Sequence, residues 1–188
     1  MGRVFSSMSM SLDGFIAAPH DTADLRATGA VVMGRRSYDL CRSEGGRCYG
    51  GPLRATPCFV LTRESPEPTT ATTATASEAA GASGPSGACA ESGSGSGAFT
   101  FVTDGLERAV ERARAAAGDG RIGLLGGTVV QQCLRAGLLD EIQIHLVPVL
   151  LGGGLRLFDH LGTRKVELER TRVIESPGVK HLRFAVVR

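Results

Sequence analysis

The sequence contains no tryptophan and only two tyrosines, and none of its apolar runs is long. Crossing a bilayer takes roughly 20 consecutive apolar residues, and nothing here approaches that. The opening MGRVFSSMSMSLDGF holds no apolar h-region and no cleavage-type site, so neither a signal peptide nor a transmembrane helix is predicted. Cysteine is present without pattern: Cys41, Cys48, Cys58, Cys89 and Cys133 are odd in number and form no C-x-x-C pair. That argues against a disulfide framework and against zinc, and it points to a reducing cytosol. The histidines (His20, His145, His160, His181) are scattered and show no metal-ligand spacing, so no metal is expected. An excess of charge is missing too. The 21 basic and 19 acidic residues leave +2, which speaks against a nucleic-acid or membrane partner.

What is there suits one domain: 188 residues, 42% of them hydrophobic, enough for a single core and too few for two. One stretch stands apart. Ser65 to Gly97 (SPEPTTATTATASEAAGASGPSGACAESGSGSG) is almost entirely Ser, Thr, Ala, Gly, Pro and Glu. It cannot bury enough apolar surface to offset its chain entropy, and it is expected to be a disordered insertion between two strands. Long surface loops close at modest entropic cost.

The remainder alternates apolar runs with helical patterns. Strands are expected at Val4–Met10, Ala30–Met33 (AVVM), Cys58–Thr62 (CFVLT), Phe99–Val102 (FTFV) and Arg121–Leu125 (RIGLL). Helical spacing covers Leu106–Ala117, with Asp104 as expected N-cap and Glu107 closing a capping box. A second helix is expected over Thr128–Ala136, stopped by Gly137. Glu141–Val149 begins with alternation, placing Ile142, Ile144 and Leu146 on one face and Gln143 and His145 on an outer one. Two further strands, Val166–Ile174 and His181–Val187, flank a turn at Glu175–Gly178. The βα order predicts a mixed, mostly parallel sheet of about eight strands covered by helices, with antiparallel strands at its C-terminal edge.

In such sheets ligands bind beyond the carboxyl ends of the strands, where helix N-termini offer free N–H groups. Three segments fall at such points. Gly34-Arg35-Arg36-Ser37 follows AVVM. The glycine allows close backbone approach, and two arginines at a helix start suit a phosphate; two solvated arginines are an equal alternative. Gly126-Gly127-Thr128 separates RIGLL from the following helix, where backbone amides and the helix dipole favour an anion. A plain tight turn reads the same way. Thr62-Arg63 follows CFVLT. If that strand neighbours AVVM, Arg63 converges with Arg35 or Arg36 on a patch fit for a 2′-phosphate; otherwise Arg63 is a surface residue.

The order of these motifs resembles the dihydrofolate reductase-like family, and most closely the branch containing the reductase domain of the bifunctional riboflavin deaminase–reductase. SLDGFIA (Ser11 to Ala17), LLDEI (Leu138 to Ile142), VPVLLGGG (Val147 to Gly154) and Leu157-Phe158 carry the same likeness. The resemblance implies NADPH at the carboxyl edge of the sheet. Gly34, Arg35, Arg36 and Ser37 would hold its pyrophosphate and adenosine phosphate, and Thr62 and Arg63 would flank the adenine ribose. Gly126, Gly127, Thr128 and Val129 would meet the pyrophosphate and ribose, the Gly-Gly bond often being cis in this family. Ile16 and Ala17 would lie against the nicotinamide. Asp13 matches the family's aspartate, as a proton donor or, better supported by turn chemistry, as a loop-ordering group. The implied reaction is hydride transfer to a C=N bond of a pteridine or a ribosylated aminopyrimidine. One departure is that only Ala17–Gly29 is available for the substrate-facing helix, about two turns after Pro19. That shortening raises an alternative, an NADP-binding protein without turnover. By analogy a homodimer is expected, through the C-terminal strands and the apolar Val147–Leu151 run.

Overall fold

The computed structural model describes residues 2–16, 28–43, 56–64, 99–163 and 165–187. The expected insertion at 65–97 lies outside them, as do Ala17 and most of the segment up to Gly29. In chain order the elements are β1 (Val4–Ser11), β2 (Thr28–Gly34), α1 (Arg35–Ser43), β3 (Cys58–Leu61), β4 (Phe99–Val102), α2 (Leu106–Ala117), β5 (Arg121–Leu125), α3 (Gly127–Arg135), β6 (Glu141–Val147), β7 (Leu168–Ser176) and β8 (Val179–Val186). The eight strands form one sheet in the order β4-β3-β2-β5-β1-β6-β8-β7. The first six are mutually parallel; β8 is antiparallel to β6 and β7 to β8. This is the mixed, mostly parallel sheet expected from the sequence.

Handedness then places the helices. The chain runs from β2 to β3 towards one edge of the sheet, and from β4 to β5 and β5 to β6 towards the other. Right-handed crossovers in opposite directions must use opposite faces. Two separate cores follow. Tyr38 of α1 packs with Val31, Met33, Cys58 and Val60 on one face. Leu106, Ala109, Val110 and Ala113 of α2, with Val129, Val130, Cys133 and Leu134 of α3, pack on Val4, Met8, Ala30, Val32, Ile122, Leu124, Ile142 and Ile144 on the other. Central β2 is thus buried on both sides, which explains its uninterrupted apolar run. α3 ends in a Schellman motif: Gly137, at φ 67, donates its N–H to the Leu134 carbonyl, and Leu138 donates to that of Cys133.

Four local expectations are corrected. No capping box forms on α2. Gly105 takes the N-cap without a side-chain bond, because Asp104 is drawn to Arg112 at 2.8 Å. Gln143 and His145 do not face solvent; they are 2% and 6% exposed. Every residue of β6 from Glu141 to His145 is buried, so both its faces are covered there, and its polar side chains pair with neighbours as burial requires. Gln143 donates to Glu141, which also accepts from Arg121 and forms an ion pair with Arg183, and His145 bridges Ser7 (2.8 Å) and His181 (2.6 Å). Among the described residues no peptide bond is cis, so Gly126–Gly127 is trans; the tight turn is made by Gly126 at φ 90. Cys41 is disulfide-bonded, because folding can pair cysteines that no sequence motif groups. Cys58 and Cys133 are free, and burial pushes both thiols up to about 12. No helix among the described residues is long and apolar enough to cross a membrane, and they contain no group of side chains able to hold a metal ion.

Candidate nucleotide-binding cleft

The connections leave β2 and β5 in opposite directions although the two strands are neighbours. A gap opens between the helices at such a switch point, beyond the carboxyl ends of the strands. A cleft of about 680 Å³ occupies it, within the range of small-molecule sites.

Each segment singled out in the sequence reaches this cleft from a different strand end. Gly34, Arg35, Arg36 and Ser37 come from β2 and the start of α1, Thr62 and Arg63 from β3, and Gly126, Gly127, Thr128 and Val129 from β5 and the start of α3. Packing explains the glycines. A Cβ on Gly126 would lie 2.7 Å from Ser37 Oγ, and one on Gly127 would lie 2.9 Å from Ile16 Cδ1 and 3.1 Å from Leu155 Cδ2. The start of α3 therefore packs against the Ser37 side chain of α1 on one side and against Ile16 and Leu155 on the other, with no room for a Cβ unless they shift. No side chain caps α3, so its first amides are the donors this junction offers an anion.

The three arginines differ. Arg35 is tied to its own helix, pairing with Asp39 at 2.8 Å and lying over the Tyr38 ring. Arg36 and Arg63 are exposed and carry no ion pair among the described residues. Thr62 fixes the turn beneath Arg63, its hydroxyl donating to the Glu64 carbonyl at 2.9 Å. Strand spacing gives the cleft its length. From β4, which leads to Thr103, to β5, which leads to Gly126 and Gly127, is three steps at about 4.8 Å, roughly 14 Å.

The remaining candidates separate. Ile16 backs Gly127 at the rim. Asp13 lies outside the cleft: its carboxylate accepts from the Ser11 hydroxyl and from the amides of Leu151 (3.2 Å) and Gly152 (2.8 Å). These hydrogen bonds, the Ser11 hydroxyl first, hold its pKa down at about 2 from 3.8. Thr103, Gly105, Leu106, Gln132 and Leu155 also line the cleft and were not anticipated. Thr103 ends β4 and was open to the same strand-end reasoning; Leu155 comes from an irregular loop that carries no periodic signal.

Residues 3–179 match the RibD C-terminal domain. No curated protein matches significantly. Among solved structures, a protein of Shewanella sp. PV-4 described as a riboflavin biosynthesis protein aligns over 100% of both chains at 22% identity and TM-score 0.71. The Thermotoga maritima diaminohydroxyphosphoribosylaminopyrimidine deaminase/5-amino-6-(5-phosphoribosylamino)uracil reductase aligns over 99% of this chain and 57% of its own at 14% identity and TM-score 0.65. Riboflavin biosynthesis reductase Rib7 of Saccharomyces cerevisiae aligns over 100% and 89% at 12% identity and TM-score 0.58. At these identities the structures establish a shared dihydrofolate reductase-like fold.

Proposed function

Because this chain belongs to the RibD C-terminal domain family, we propose that it is an NADPH-dependent reductase acting on a ribosylated aminopyrimidine. One observation carries the nucleotide reading: arginines from two strand ends and the uncapped start of α3 line a single cleft of about 680 Å³. Arg36 and Arg63, exposed and unpaired among the described residues, hold the 2′-phosphate. Thr62 flanks the adenine ribose. The amides of Gly127 and Thr128 meet the pyrophosphate, with Gly34, Ser37 and Val129 shaping the floor. The far end, beside Ile16 and Leu155, takes the nicotinamide. When bound, NADPH supplies a hydride to a C=N bond. The protein orients the two partners and keeps water out.

Asp13 serves as a loop lock in this reading. With its carboxylate ionised at neutral pH and committed to three donors, it has no proton to give. The homodimer forms through β7 and the 147–151 segment, where Val173, Ile174 and Leu150 are exposed apolar residues.

Ligand-linked stability tests the reading. At a hundredfold excess over Kd a ligand stabilises the folded state by about 2.7 kcal/mol, which raises Tm by roughly 5–10 °C for a chain of this length. Arg36→Ala removes charge-assisted bonds worth roughly 1.5–3 kcal/mol, so it should weaken NADPH about ten- to a hundredfold and NADH little. No shift with NADPH, or equal weakening of both cofactors, would discard the assignment. Binding without NADPH oxidation against any aminopyrimidine or pteridine would identify a nucleotide-binding protein without turnover.

A further inference from the structure

The loop 148–157, which supplies Leu155, forms a strap along the nicotinamide end of the cleft, pinned against the loop after β1. Leu12 donates to the Val149 carbonyl, Ile16 to that of Leu155, and Leu157 to that of Gly14. Phe15 and Arg156 form an antiparallel bridge. In such extended pairing side chains alternate. Leu155 and Leu157 therefore share a side, and Arg156 stands opposite, over the Phe15 ring at 4.9 Å. Leu157 is fully buried in the core and anchors the end of the strap. The pairing with the loop after β1 uses the Leu155 carbonyl and the Leu157 amide, and leaves the carbonyls of Arg156 and Leu157 to be held from elsewhere.

Those two carbonyls are held from α3. Gln131 is 4% exposed, and its Nε2 donates to the carbonyls of Arg156 (2.8 Å) and Leu157 (3.3 Å). It stands four residues after Gly127, on the same face of the helix. One helix thus presents Gly127 to the ligand and, a turn later, grips the segment that places Leu155 against that glycine.

We infer that Gln131 is a positioning residue for the nicotinamide end of the cleft, acting through the strap carbonyls to set Leu155 in the wall. The inference rests on the NADPH reading above. It deepens that reading by dividing the cleft into an end governed by Gln131 and an end that is not.

Two ligands separate the ends. NADPH spans the cleft, whereas adenosine 2′,5′-bisphosphate occupies only the arginine end. Gln131→Met keeps length and helix propensity but has no donor. By calorimetry it should bind NADPH about tenfold more weakly, the order expected for lost hydrogen bonds, and adenosine 2′,5′-bisphosphate within about twofold of the parent chain. Loss of both ligands alike, or of neither, overturns the inference. Should Gln131→Met not fold, Leu155→Ala, at an exposed position outside the core, carries the same comparison; unchanged NADPH binding by that variant also overturns it. A parent chain that binds neither ligand instead refutes the nucleotide reading itself.

Discussion

At the scale of single residues, Asp13 shows how an acidic side chain in a reductase-like loop can be structural. Its folded pKa of about 2 lies below the ordinary 3.8. A depressed carboxylate contributes stability above its unfolded pKa and loses it as pH falls through the folded one. The lock should therefore open between about pH 4 and pH 2. Asp13→Asn cannot accept from all three donors and should be less stable at neutral pH, with a shallower fall of Tm on acidification across that window. Parallel Tm–pH curves for the two proteins would show that Asp13 is not the group responsible. The aspartate's place in a turn was legible in SLDG, but its partners were not. Leu151 and Gly152 lie 138 and 139 residues away and offer main-chain amides, which leave no mark in a sequence. Gln131 was hidden for the same reason, since it grips carbonyls.

At the scale of elements, the β5–α3 junction concentrates the constraints. A Cβ at Gly127 meets only the ends of the Ile16 and Leu155 side chains, which can rotate aside. Gly127→Ala should therefore fold, at a cost of about 1–3 kcal/mol for overpacking, while displacing the wall beside the nicotinamide. Denaturant midpoints measure the first effect and NADPH titration the second; wild-type affinity would mean the wall does not govern binding. This junction was legible as a strand-to-helix turn, from a Gly-Gly pair between an apolar run and a helical pattern; that it lines a cleft was not, since a plain tight turn reads the same way. So were β4, α2 and β5, whose periodicity changes abruptly at glycine or at a charged residue. The capping of α2 was not, because Asp104 had a choice between its own helix start and Arg112. Nor was the inner face of β6: alternation signals two faces of unlike polarity, and it cannot say that the polar one is covered.

At the scale of the whole molecule, β7 is exposed along its entire length while β8 is half-buried. An edge strand with Val173 and Ile174 open to solvent invites pairing with a second copy. Light scattering should give twice the chain mass, and Ile174→Lys should shift it towards the monomer; a monomeric parent chain at high concentration would rule the dimer out. The sheet's strand order was foreseeable in outline from βα alternation. Which strands adjoin which emerges only from the fold.

β6 pairs in parallel with β1 on one side and antiparallel with β8 on the other, and this makes it the seam between two halves of unequal freedom. A shift in the hairpin can reach the glycine turn through β6 and β1, and also through the 148–157 strap, which lies between β6 and β7 in the chain and packs Leu155 against Gly127. A dimer built on β7 and the 147–151 segment would therefore load the same strap that walls the cleft, so assembly and ligand fit become linked quantities.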